Sequence, residues 1–151
     1  MKETTITNTV VLSTGMKGSP GSPFDQEAAE VALRFHRSLP MYEETKLVFL
    51  QTAAEELGVK AIYLKDESTR FGLKAFKGLG GSYAVFRILC DKLGMDYRSA
   101  IFSDFMTDEN REKCREVRFV TATDGNHGKG VAWASSLFGC KAYVFMPAGS
   151  S

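Results

Sequence analysis

Between Gly72 and Gly81 the chain places four glycines in ten positions, at the start of its longest helical pattern. From Lys77 to Leu93 the apolar side chains Leu79, Tyr83, Phe86, Leu89 and Leu93 recur at three- and four-residue steps, and Gly94 follows as a cap. Glycine inside a helix costs up to about 1 kcal/mol against alanine. Such a helix start needs compensation, and close approach of a ligand or of another backbone is the usual one. The feature therefore demands a fold in which something packs tightly onto the first turn of this helix.

The rest of the chain supplies the setting. Asp25 is placed to cap a helix running to about Ser38, with Ala28, Val31, Ala32 and Phe35 on one face and Pro40 closing it. A second helix is expected over Lys46–Leu57, ended by Gly58. Ala61–Leu64 reads as a short buried strand, residues 95–116 as one or two short surface helices, and Val117–Thr121 as a strand. A Gly-rich turn at Asp124–Gly130 leads into a helix through Leu137, and Ala142–Met146 is a further buried strand. Near the N-terminus, Thr9–Val11 could form a short edge strand, and Gly18–Pro23 is turn punctuation. Strands alternating with helices give an α/β protein with a largely parallel sheet.

Composition narrows the class. With 151 residues, 44% of them apolar and eleven Phe, the chain is not disordered, and its length suits one domain of ordinary size. Nineteen Lys and Arg against eighteen Asp and Glu give a formal charge of +1, with no pull toward nucleic acid or anionic membrane. No apolar run approaches a membrane span, and the N-terminal fifteen residues lack a secretory core. Cys90, Cys114 and Cys140 are odd in number and widely spaced, so neither a disulfide framework nor a metal cluster is expected. Reduced thiols in a cytoplasmic protein are the plain reading.

In parallel α/β sheets ligands gather where a strand's carboxyl end meets the next helix. Two such junctions carry unusual residues. At the first, Lys77 opens the glycine-laden helix between Phe76 and Leu79. The positive helix end and apolar neighbours both disfavour an ammonium, which suits an imine-forming or proton-abstracting amine. Lys74 competes on the same evidence, and an ordinary solvated lysine is the plainer alternative. A dinucleotide fingerprint fails at Tyr83, and a Walker loop fails because Gly128-Lys129 is followed by Gly130. At the second junction, Thr123, Asp124, Gly125 and Asn126 bring side-chain oxygens and backbone N–H groups to a helix start, a pocket fit for a carboxylate or phenolate oxygen. Asp124 could also move a proton, or it or Asn126 could simply cap the helix. His127 reads as a helix residue and not a metal ligand.

Taken together, Lys77 and Thr123-Asp124-Gly125-Asn126 resemble the lysine and the substrate loop of pyridoxal-phosphate enzymes of the tryptophan-synthase-β fold type. The stretches KDESTRFGLKAFKGLGGSYA, ATDGNHGKGVAWA and VFMPAGSS are similar to the diaminopropionate ammonia-lyases within it, from about Phe35 to the last residue. Asp124 is the telling position, since ordinary serine and threonine dehydratases carry a small residue there.

The resemblance implies a partial fold of that type, with residues 1–88 beginning the large cofactor domain and 89–151 beginning the small one. It implies α,β-elimination of 2,3-diaminopropionate to pyruvate and ammonia with pyridoxal 5'-phosphate held on Lys77. Lys77 would take the Cα proton of one isomer and Asp124 that of the other. Asn126 would bond the ring's phenolic oxygen, Phe76 would pack on the ring, and Thr123, Asp124 and Gly125 would receive the substrate. A homodimer is expected of the full-length enzyme, with no metal in this part.

Two departures stand out. Glu44-Thr45-Lys46-Leu47 replaces a common Pro-Thr-Pro-Leu, and Lys74 stands where Asn is frequent. The family also runs to roughly twice this length or more, consistent with two domains of typical size, so this chain reads as an N-terminal fragment without the phosphate loop or the partner of the pyridine nitrogen. A serine/threonine dehydratase of the same fold and a non-catalytic short product are the alternatives.

Overall fold

Asp25 starts the described part of the chain by capping its first helix: its Oδ1 accepts the Ala28 N–H at 2.8 Å, as the sequence leads one to expect. The computed structural model describes residues 25–149, so the expected edge strand at Thr9–Val11, the turns at Gly18–Pro23 and the last two residues lie outside it. Helix α1 (Gln26–Ser38) buries Val31 and Phe35. Strand β1 (Leu47–Phe49) is followed by the short α2 (Gln51–Glu56) and by β2 (Tyr63–Lys65). After a 3-10 turn at Arg70–Gly72 comes α3 (Lys77–Leu93), whose bounds and left-handed Gly94 cap match the sequence pattern. A second 3-10 turn (Phe102–Met106) leads to α4 (Asp108–Arg115), then β3 (Arg118–Ala122), α5 (Asn126–Leu137) and β4 (Lys141–Phe145).

Four expectations are corrected. The strand expected as buried at Ala61–Leu64 pairs over Tyr63–Lys65 with all three residues exposed, and the one expected as buried at Ala142–Met146 runs Lys141–Phe145 and is exposed at every other residue. The helix expected over Lys46–Leu57 is a helix only from Gln51 to Glu56. Leu47, Val48 and Phe49 instead pair antiparallel with Lys65, Leu64 and Tyr63. Backbone bonds from Leu50 N to Ile62 O and from Asp66 N to Lys46 O, each 2.9 Å, extend that ribbon at both ends. A contiguous apolar triplet has no helical period, and cross-strand pairing satisfies its backbone groups. The segment 95–116 does hold short helices, but not purely surface ones, because Phe105 and Cys114 are completely buried.

The parallel element is the unit β3–α5–β4, in which Arg118 through Ala122 lie in register with Lys141 through Phe145. A parallel pair needs a crossover, and α5 provides it. The core lies among the helices. Phe35 stacks on Phe86 at 4.2 Å between ring centres, and Phe105 meets Phe138 edge-on at 5.0 Å. Leu89, Cys90, Ala134 and Cys114 belong to the same cluster. All three cysteines are free and buried. No helix among the described residues is long and apolar enough to cross a membrane.

Candidate active site

The glycines at the start of α3 show what their compensation is. A Cβ on Gly81 would stand 3.2 Å from the backbone carbon of Gly130, and one on Gly130 would stand 3.0 Å from the Lys77 carbonyl oxygen. The two helices therefore meet backbone to backbone within one turn of their starts, Lys77 in α3 and Asn126 in α5. Gly80 faces the other way, with nothing within 4 Å, onto a cavity of about 530 Å³.

That cavity is lined by Phe76, Lys77, Gly80, Thr121 and His127, with Val120 and Ile88 among its apolar walls. Of the two candidate lysines, Lys77 lines it and Lys74 does not. The expected burial of Lys77 among apolar neighbours is not seen: both it and Phe76 are exposed. Thr121 and His127 were not singled out from sequence as neighbours of Lys77. Their placement depends on how α3 packs against β3 and α5, which no local pattern encodes.

Thr123 and Asp124 line a separate recess of about 410 Å³ with Phe145, Met146 and Pro147. Asn126 and Gly125 line neither space. Asp124 and Asn126 do not cap α5, which starts after Gly125 without a side-chain cap. The first turn of α3 likewise lacks one. Two helix starts, each with its positive end undressed by a side chain, thus converge beside the lysine.

On the far side of Phe76 lies a second cavity of about 840 Å³, which shares Phe76 and Leu79 with the first and is lined also by Tyr42, Thr45, Lys65, Glu67 and Arg70. Arg70 is buried, and its Nε donates to Glu67 Oε2 at 2.7 Å. The guanidinium holds the Glu67 carboxyl below its ordinary range, and Glu67 in turn raises the pKa of Arg70. His36, at 2.9 Å from the Leu79 carbonyl, ties α1 to the first turn of α3. Burial pushes its pKa down.

The amine, the exposed aromatic face and the open floor at Gly80 fit an aldehyde-bearing aromatic cofactor, and a cavity of this size is ample for one. A family model for pyridoxal-phosphate dependent enzymes matches residues 39–151. The chain belongs to that family. Within the pyridoxal-phosphate dependent enzymes it is a homologue of diaminopropionate ammonia-lyase. It is 56% identical to the Salmonella typhimurium enzyme over 119 residues, 79% of this chain and 30% of that protein. It is 43% identical to the Escherichia coli K12 enzyme over 134 residues, 89% of this chain and 33% of that protein.

Solved structures agree. The apo E. coli ammonia-lyase superposes with a TM-score of 0.78 at 42% identity, over 89% of this chain and 36% of that one. The same enzyme in complex with an aminoacrylate–PLP azomethine reaction intermediate gives 0.73 at 42% identity, over 89% and 32%. The chain spans about a third of the length of the curated relatives it matches.

Proposed function

We propose that this chain carries the lysine-bearing and carboxylate-receiving parts of a pyridoxal-phosphate lyase that eliminates ammonia from 2,3-diaminopropionate and yields pyruvate. The observation that carries this reading is the placement of Lys77 and Phe76 on one cavity where two uncapped helix starts converge, in a chain 56% identical to such a lyase. When bound, the cofactor would supply an electron sink for the carbanion formed at the substrate's Cα.

The chain's own residues would do the rest. Lys77 would anchor the cofactor and, once displaced by the amino acid, take a proton from Cα. Asp124 would take the proton from the opposite face, for the other isomer. Asn126 would hold the ring's phenolic oxygen, Phe76 would support the ring, and Thr123, Asp124, Gly125 and the N–H groups at the α5 start would receive the substrate. The division at residues 88 and 89 between a large and a small domain, a homodimeric whole enzyme and a cytoplasmic location belong to the same proposal. The free buried thiols suit a reducing compartment.

The decisive experiment adds pyridoxal phosphate to the purified full-length protein, reduces with borohydride and maps the labelled peptide. A label on Lys77 is expected; a label on Lys74, or none, would overturn the assignment. In protein that turns over diaminopropionate, Asp124→Asn should slow pyruvate release from one isomer by about a hundredfold and leave the other within a fewfold. Equal losses would remove the two-base assignment. A dehydratase of the same fold would release pyruvate faster from serine than from diaminopropionate.

A further inference from the structure

The segment that delivers Lys77 is held against its own backbone preference. Phe71 (φ 52°) and Lys74 (φ 55°) are the non-glycine residues in the left-handed region among those described, and both lie within six positions of Lys77. An L side chain is disfavoured there, and such strain persists only where the surroundings over-determine it.

The surroundings are specific. Arg70 Nη1 donates to the Glu43 carbonyl at 2.6 Å, and its Nη2 donates to Thr45 Oγ1 at 2.9 Å and to Glu67 Oε1 at 3.1 Å. The Thr45 hydroxyl in turn donates to Glu67 Oε1 at 2.5 Å, so guanidinium, hydroxyl and carboxylate close a ring. Lys65 Nζ reaches the Thr45 carbonyl at 2.5 Å. On the other side of the strained segment, Phe71 stacks on Trp133 of α5 at 4.4 Å and abuts Gly78. The segment 43–45, beside the two positions where the resembled family commonly has proline, is thus tied at Glu43 and Thr45 by charge-assisted hydrogen bonds.

We infer that Arg70, Glu67 and Thr45 form a positioning unit for Lys77: their ring holds the strained segment 71–76 in the conformation that sets Lys77 at its cavity with Phe76 as the shared wall. The three residues line the neighbouring cavity and do not line that of Lys77, so they act through the backbone. The inference rests on the cofactor reading of Lys77 only for its second readout.

Thr45→Val removes the hydroxyl that closes the ring at nearly constant volume, and Thr45→Ser keeps it. Amide hydrogen exchange is the first readout, since Gly72, Leu73 and Leu79 N–H groups are hydrogen-bonded to Thr69, Arg70 and Phe76. In Thr45→Val, exchange over 72–79 should quicken about tenfold while Phe86–Cys90 in α3 stays unchanged. The concentration of pyridoxal phosphate needed for half-maximal borohydride labelling of Lys77 should rise about tenfold. Thr45→Ser should restore both. Equal quickening along the whole of α3 would make Thr45 merely structural and overturn the inference, as would no change in either region. If the unmodified chain labels elsewhere than Lys77, the cofactor reading fails, and the exchange pattern still decides the clamp.

Discussion

The aromatic cluster among the helices and the outward face of the parallel ribbon use the same kinds of side chain with opposite outcomes. Phe35, Phe86, Phe105 and Phe138 are 0–1% exposed, whereas Val120 is 65% exposed, Tyr143 48% and Phe145 64%. The helices α1, α3 and α5 and the 3-10 turn at Phe102–Met106 surround the cluster from several directions, so every ring finds partners. A parallel sheet has two faces to cover, and here α5 covers one. Closure is thus a property of how many layers reach a side chain, not of how apolar it is. An apolar patch of this kind on a sheet marks a surface that packs against something.

That contrast can be broken by mutation. Phe86→Ala should cost about 3–5 kcal/mol in chemical denaturation, because the ring is enclosed and the site cannot collapse. A loss near 1 kcal/mol would mean that the cluster is less closed than it looks. Gly130→Ala should cost about 1–3 kcal/mol, since its Cβ meets the Lys77 backbone and the helices must part. It should also reduce labelling of Lys77, which Phe86→Ala at a permissive temperature should spare.

A smaller effect is expected from acid. Desolvation lowers the pKa of His36 below its ordinary 6.5, so folding favours the neutral ring. As pH falls through 6.5 the unfolded chain takes up a proton that the folded chain refuses, and stability declines until the lowered folded value is reached. Above 6.5 the term vanishes. Stability measured against pH should therefore fall less steeply on the acid side of 6.5 in His36→Gln than in the parent; parallel curves would show that another group governs that limb. The least effect belongs to the open face: Val120→Thr should change stability by no more than about 0.5 kcal/mol. A loss several times larger would show that this face is covered in solution.

What the sequence disclosed follows the range of the forces involved. Helix α3 was legible from Lys77 to its Gly94 cap, because spacing and a left-handed stop are local signals. So was the Asp25 cap, and so was the strand–helix–strand order around α5. Strand β1 was not, because Leu47-Val48-Phe49 is too short for a period and its partner lies about sixteen residues on. Lys77 was legible as a candidate by its helix position and glycine neighbours, and the resemblance singled it out over Lys74. Its exposure, and the presence of His127 and Thr121 on the same cavity, depend on how α3 packs against α5 and β3. The burial of Arg70 was hidden for the same reason, since Glu43 and Thr45 stand 27 and 25 positions away. Read as a charged run, KDESTR gives no sign that one of its charges lies inside.

The contact of Gly81 with Gly130 sets a distance that no rotamer can alter. Where helices are separated by side chains, every core substitution changes their spacing a little, and drift accumulates as sequences diverge. Here the main chains themselves are the spacer, so the gap between the two helix starts is a fixed length, indifferent to repacking elsewhere. A lineage could exchange most of the phenylalanine cluster and keep its lysine at the same station, provided that these two positions never acquired a side chain.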